Sequence, residues 1–192
     1  DTISWSEEGI IWNHEETLHD YHLQDIIFWK DRFIGVGKGG RRVVSLDGVS
    51  WSIENFSGNP DPYFAVAHSE DLLIAVGGED RYYASVSEDR GQSWVNVPFG
   101  QCSGDGLRSL VYINGSFVAQ GTSTCHHNMH QSNDGFLWLP VAETAPFEQY
   151  VILGTIQDLA IAYRTQPIGT ALYSSTDAKN WNKLMDLPDE VV

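Results

Sequence analysis

One seven-residue pattern, Ser-x-Asp-Gly-x-x-Trp, returns five times along this chain, and a recurrence at fixed period constrains a fold more tightly than any local propensity. The cleanest copy is Ser45-Leu-Asp47-Gly48-Val-Ser-Trp51. It returns as Ser87-Glu-Asp89-Arg-Gly91-Gln-Ser-Trp94, with one inserted residue, and as Ser132-Asn-Asp134-Gly135-Phe-Leu-Trp138. Two weaker copies bracket these: Ser6-Glu-Glu8-Gly9-Ile-Ile-Trp12 has Glu for Asp, and Ser175-Thr-Asp177-Ala178-Lys-Asn-Trp181 has Ala for Gly. The tryptophans stand 39, 43, 44 and 43 residues apart, so five of the seven Trp share one register.

A second pattern precedes four of these boxes at a steady offset. Phe33-Ile-Gly-Val-Gly37, Leu73-Ile-Ala-Val-Gly77 and Phe117-Val-Ala-Gln-Gly121 are small, apolar and β-prone, with Leu159-Ala-Ile-Ala-Tyr163 as a degenerate fourth. Before each lies another apolar run: Asp25–Phe28, Tyr63–Val66, Leu107–Val111 and Tyr150–Leu153. Polar turns join the two runs, and Asn114-Gly115 is a strong two-residue hairpin signal. Each unit therefore reads as four short antiparallel strands, A to D, with the box at the C–D turn. A period of about 40–45 residues with four strands per unit is the signature of a propeller blade. The Asp carboxylate can accept backbone N–H groups of its own turn, Gly can take the left-handed position, and Trp can seal the blade edge. Asp47, Trp51, Asp89, Trp94, Asp134, Trp138, Asp177 and Trp181 are thus expected to staple turns.

The boxes resemble the Asp-box (BNR) repeat, and the unit from Phe33–Gly37 to Ser45–Trp51 is similar to bacterial secreted propeller repeats. Families with this feature include sialidases, sortilin-type receptors and the photosystem II assembly factor. The resemblance covers nearly the whole chain and implies an all-β propeller; it says little of function, because one scaffold serves many. Sialidases also carry a Phe-Arg-Ile-Pro motif near their start, and this chain has no counterpart, which counts against that activity.

Complete A–D units are expected at about 24–57, 63–98, 107–142 and 149–185, within one domain spanning 1–192. Residues 2–16 supply only a C–D hairpin with its own box. The chain is therefore either five-bladed or part of a larger propeller. It begins at Asp1 without a leader, as a mature secreted protein or an excised fragment does, and a secreted or periplasmic place is expected. Sequons at Asn55-Phe56-Ser57 and Asn114-Gly115-Ser116 decide nothing further.

Strand order sorts residues by face. The A–B and C–D turns share one end of the blades, and the B–C and D–A loops share the other, where such folds hold ligands. Cys102 and Cys125 both fall on that loop end, and a disulfide between them is expected, with two separate thiols as the alternative. Six of the seven histidines map there too, and His126, His127 and His130 offer donor types for copper or zinc. The alternative is a solvated loop without metal, and no other cofactor is implied. Four of the seven arginines, Arg41, Arg42, Arg81 and Arg164, lie in or just after B–C loops. Such groups can grip a carboxylate or sulfate bidentately, and Tyr82 and Tyr83 could stack on a sugar ring. Pairing with Glu79, Asp80 and similar rim neighbours is the plainer alternative.

Eleven basic against 26 acidic residues give a net charge of −15, which repels phosphate backbones and anionic lipids, so nucleic acid is not an expected partner. No apolar run approaches the ~18 residues needed to cross a bilayer, so membrane insertion is not expected. Two classes remain. The favoured one is a non-catalytic binding or assembly module presenting its loop end to a glycan or protein. The alternative is a sialidase-like glycan hydrolase or lyase using Arg with Tyr or His on the same face.

Overall fold

Apolar runs bounded by Gly, Asn and Asp become strands throughout the computed structural model, which describes residues 2–16, 22–53, 61–79, 81–101, 106–121, 129–141, 150–165 and 169–188. The strands are β1 (Thr2–Trp5), β2 (Asn13–Glu16), β3 (Leu23–Trp29), β4 (Arg32–Gly37), β5 (Arg42–Ser45), β6 (Ser52–Ile53), β7 (Tyr63–His68), β8 (Leu73–Gly77) and β9 (Arg81–Ser87). They continue as β10 (Val95–Gln101), β11 (Leu107–Ile113), β12 (Ser116–Gly121), β13 (Met129–Ser132), β14 (Leu139–Pro140), β15 (Val151–Ile156), β16 (Leu159–Thr165), β17 (Thr170–Ser175) and β18 (Asn182–Leu187). Among the described residues the helical geometry is one 3-10 turn at Lys38–Gly40. Sheets β3–β6, β7–β10, β11–β14 and β15–β18 are four-stranded antiparallel meanders, and β1–β2 is a hairpin by itself. The fold is an all-β propeller-like array of blades.

The first strand of each sheet faces its neighbours: β3 contacts β7, β7 contacts β11, and β11 contacts β15. Blades thus stand side by side in chain order, with their first strands innermost. Three apolar seams lie between them. Trp29, Ile34, Val66, Leu73 and Tyr83 fill the first, Ile74, Val86, Leu107, Phe117 and Trp138 the second, and Val111, Val118, Ile152 and Ala160 the third. Small residues in the strands (Ala65, Ala67, Ala75, Ala84, Ala119) let adjacent blades approach face to face.

Side chains also tie blade to blade through backbone. The Asp25 carboxylate accepts the Val66 N–H at 2.9 Å. Ser109 donates its hydroxyl to the Ile152 carbonyl at 2.8 Å. The Gln120 amide accepts the Ile152 N–H at 3.0 Å and donates to the Tyr150 carbonyl. The Val66 and Ile152 groups belong to first strands, and each bond gives one of them a partner across the seam. Burial raises the pKa of Asp25 above the ordinary carboxylate value, against the opposing pull of the Val66 and Ile26 N–H groups.

The boxes build one turn repeatedly. In the first blade the Asp47 Oδ1 accepts the Val49 and Ser50 N–H groups at 2.9 and 2.7 Å, and Ser45 Oγ accepts the Gly48 N–H at 2.9 Å. Trp51 Nε1 donates to the Gly48 carbonyl at 3.1 Å. The third blade repeats this with Phe136, Leu137 and Gly135 N–H groups, and Trp138 Nε1 meets the Gly135 carbonyl at 2.7 Å. The N–H groups of Ser50 and Val49 hold the Asp47 carboxyl down at about 2. The shared geometry needs φ near +75°, seen at Gly48 and Gly135, which explains Gly at that place.

Pairing corrects the alignment of the fourth unit. Ser45, Ser87 and Ser132 pair with Phe33, Leu73 and Phe117, and Ser175 pairs with Ala160, not Leu159. The run equivalent to Phe33–Gly37 is therefore 160–164, with Ala in place of the large first residue and Arg164 in place of the closing Gly.

Candidate functional site

The loop end of the blades begins where each innermost strand enters. In the first three blades the entering strand carries a β-bulge at one register position: Leu23 pairs with Gly37, Tyr63 with Gly77 and Leu107 with Gly121, and one extra residue follows in each. Those residues are Gln24, Phe64 and Arg108. A bulge leaves its extra residue outside the ladder and re-aims the side chain. Phe64 and Arg108 meet across adjacent innermost strands, the guanidinium carbon lying 3.7 Å from the ring centroid. Arg108 and Gln24 are exposed, and Phe64 is half-buried. In the fourth blade the bulge lies further along, at Leu153.

Backbone closely packed beneath this rim fixes its shape. The Lys38 N–H donates to the His22 carbonyl at 3.2 Å, and the Gly78 N–H to the Pro62 carbonyl at 2.9 Å. Each bond clips a B–C turn to the entry of the same blade. At Gly106 an added Cβ would stand 1.9 Å from the Gly78 carbonyl oxygen, so only glycine fits where the second blade touches the strand entering the third.

The arginines and tyrosines expected here divide between rim and seam. Arg81 is exposed at the start of β9, and Arg41 is half-buried beside exposed Lys38. Arg42 is buried in the first seam, its guanidinium carbon 4.9 Å from the Trp94 ring centroid and 5.8 Å from that of Tyr63. Arg164 is half-buried in the last sheet, 5.7 Å from the Tyr150 ring. Tyr150 in turn stacks on Trp181 at 5.2 Å. These contacts hold Arg42 and Arg164 against aromatic faces, where cation–π attraction adds to packing.

Sugar stacking by Tyr82 and Tyr83 does not fit their placement. Strand β9 starts at Arg81, so both tyrosines are strand residues on opposite faces, 3% and 6% exposed. Tyr82 packs against Phe99 and His130, and Tyr83 against Tyr63. Burial, with Tyr63 beside it, drives the Tyr83 pKa well above the ordinary phenol value.

His130 is buried too, its ring edge-on to Tyr82 at 5.1 Å and to Phe99 at 5.4 Å. His126, His127, Cys102 and Cys125 lie outside the described residues, as does Asp80. Among the described residues no group of three His, Cys, Asp or Glu is placed to hold a metal ion.

Arg108 and Phe64 are not among the residues that sequence reasoning singles out. The signal is present nonetheless: Arg108 interrupts the apolar run Leu107–Val111, and a charge inside an innermost strand has to point out of the blade.

No family model matches this chain, and no curated protein matches it. Solved structures do match. One of them, YCF48 bound to D1 peptide, superposes with a TM-score of 0.57 at 16% identity, over 85% of this chain and 53% of that one. The chain thus spans about half the length of that structure, and the likeness is one of fold.

Proposed function

We propose that this chain is a non-catalytic binding or assembly module whose loop end takes an extended, acidic segment of a protein partner. The observation carrying this is the exposed Arg108 guanidinium, laid on Phe64 across two innermost strands. Stacking fixes the guanidinium plane and lowers the ordering cost of using its N–H edge on a carboxylate. Exposed Arg81, with Arg41 and Lys38 on the rim, adds positive charge on a protein of net charge −15. Bulged backbone and glycine clips hold these groups on a rigid frame, which is how binding loops are normally mounted.

A protein partner is supported over a glycan because the tyrosines that could have supplied a sugar platform are enclosed in seams. The same enclosure takes Tyr82, Tyr83 and His130 out of reach of a substrate at the loop end. YCF48, similar to this chain in fold, is bound to a peptide in its solved structure, and that supports the choice of partner class. The kinship to Asp-box repeats and the secreted or periplasmic place remain parts of this proposal, supported by the box residues and the resemblance they carry.

The test is a pair of arrays probed with purified protein, one of acidic and neutral peptides and one of sialylated, sulfated and neutral glycans. Retention on acidic peptides, abolished by Arg108→Ala, is the expected result. Retention on glycans alone, or release of free sugar from any spot, would overturn the proposal.

A further inference from the structure

We infer that Asn114 is a site of spontaneous covalent modification: in the folded protein its carboxamide closes on the Gly115 nitrogen and converts to aspartate and isoaspartate.

Asn114-Gly115 is the one Asn-Gly step in the chain. It forms the two-residue tip between β11 and β12, with φ of +48° and +76°, the left-handed pair that a tight hairpin turn needs. Ladder pairing ends at Ile113 with Ser116, so neither tip residue is held in register. Both are exposed, and a Cβ built on Gly115 meets no atom within 4 Å. Ring closure requires the Asn114–Gly115 peptide to rotate until Gly115 N reaches Asn114 Cγ. At this tip the rotation displaces no paired residue, and the flanking anchors Ile113 and Phe117 stay buried.

The chemistry needs only water. Gly115 N gives up its proton and attacks Asn114 Cγ, the new C–N bond closes a succinimide ring, and the Asn114 amide nitrogen takes up the proton and leaves as ammonia. Water then opens the ring at either carbonyl. Opening at the main-chain carbonyl gives isoaspartate, and opening at the side-chain carbonyl gives aspartate. Both products carry a carboxylate that Asn114 lacks, and isoaspartate also adds one backbone atom to the turn. Ser116 donates its hydroxyl to Asn133 Oδ1 at 2.7 Å, which ties this tip to the third box, so a lengthened turn pulls on that bond.

The boxes supply the contrast. Asp47-Gly48 and Asp134-Gly135 contain the same ring-forming atoms. There the glycine N–H is donated to Ser45 or Ser132 Oγ, at 2.9 and 2.8 Å, and the glycine carbonyl accepts the box Trp Nε1. Each Asp Oδ1 is held by two further N–H groups, which keep the carboxyl ionised, and a carboxylate is a poor electrophile. The same step is therefore locked in the boxes and unlocked at Asn114.

The test incubates the intact folded protein in near-neutral buffer, beside a sample unfolded in urea. Each is digested and mapped by mass, and isoaspartate is read on each peptide by enzymatic methyl transfer from S-adenosylmethionine. In the folded protein the peptide holding Asn114 should gain the mass difference between –NH2 and –OH and become a methyl acceptor. Unfolding should raise isoaspartate formation at Asp47 and Asp134 at least about tenfold and that at Asn114 less than about threefold. Asn114→Gln, whose longer side chain would have to close a larger ring, should stop the conversion at that place. Asn114 that converts only after unfolding, or in neither state, would overturn the inference. Box steps that convert as fast in the folded protein as in the unfolded one would overturn it too. None of these outcomes depends on Arg108, so failure here is separable from failure of the proposed function.

Discussion

Two alanine substitutions at matched box positions should separate the backbone cost of the turn from the packing of one blade on the next. Gly48 and Gly135 have φ of +75° and +78°. A Cβ at either place carries the same left-handed penalty, about 1–2 kcal/mol. Their surroundings differ. At Gly48 the nearest atom to a built Cβ is Phe33 Cε2 at 3.3 Å, the edge of a half-buried ring that can yield a few tenths of an ångström. At Gly135 the Cβ meets Ile74 Cδ1 at 2.6 Å and Val86 Cγ2 at 2.9 Å, both fully buried side chains of the preceding blade. Overpacking there should add about 1–3 kcal/mol. Gly48→Ala is therefore expected to cost about 1–2 kcal/mol and Gly135→Ala about 2–5 kcal/mol. In urea unfolding of the intact chain, both midpoints should fall at unchanged m-value, and Gly135→Ala should fall further. Equal losses would refute the packing of the third box against Ile74 and Val86, and with it the side-by-side arrangement of the second and third blades.

Other consequences are as direct. Asp47 and Asp134 are held below the ordinary carboxylate pKa by N–H groups of their turns, Ser50 and Val49 for Asp47, Leu137 and Phe136 for Asp134. A depressed folded pKa contributes stability that is full above the unfolded pKa and lost as pH falls through the folded one. Urea midpoints should accordingly drop between about pH 4 and pH 2, and Asp134→Asn should flatten part of that slope; an unchanged slope in the variant would count against the turn. Gln120→Leu removes the bonds to the Ile152 N–H and Tyr150 carbonyl that join the third and fourth blades, for a loss of about 1–3 kcal/mol by thermal unfolding; a neutral result would show that Gln120 does not join them. Asp47→Ala should lower stability and leave peptide affinity unchanged, measured by calorimetry on folded protein.

Blade architecture was legible because it rests on spacing. Five tryptophans in one register, and apolar runs ending in glycine, encode the turn and the second strand of each unit, and both are local chemistry. The fourth unit aligns one residue early in the sequence because Ala160 lacks the bulk of Phe33, Leu73 or Phe117, so Leu159 looks like the better match; pairing with Ser175 places it. The site was less legible. Arg42, Tyr82 and Tyr83 read as loop residues because polar and aromatic residues follow a glycine there. Strand β9 instead begins at Arg81 and turns the two rings into different seams, a consequence of neighbouring blades that spacing does not contain. Arg108 and Phe64 come together through bulges in separate blades, and a bulge leaves no compositional mark.

The most direct test of the proposed binding face is a hydrogen-exchange and radical footprint of the folded protein with and without an acidic peptide retained on the array. Binding at the loop end predicts protection at Gln24, Phe64, Arg81 and Arg108, with the box turns at 46–50 and 134–137 unchanged. Protection confined to the box turns, with Arg108 and Phe64 unaffected, would contradict it and put the binding face at the opposite end of the blades.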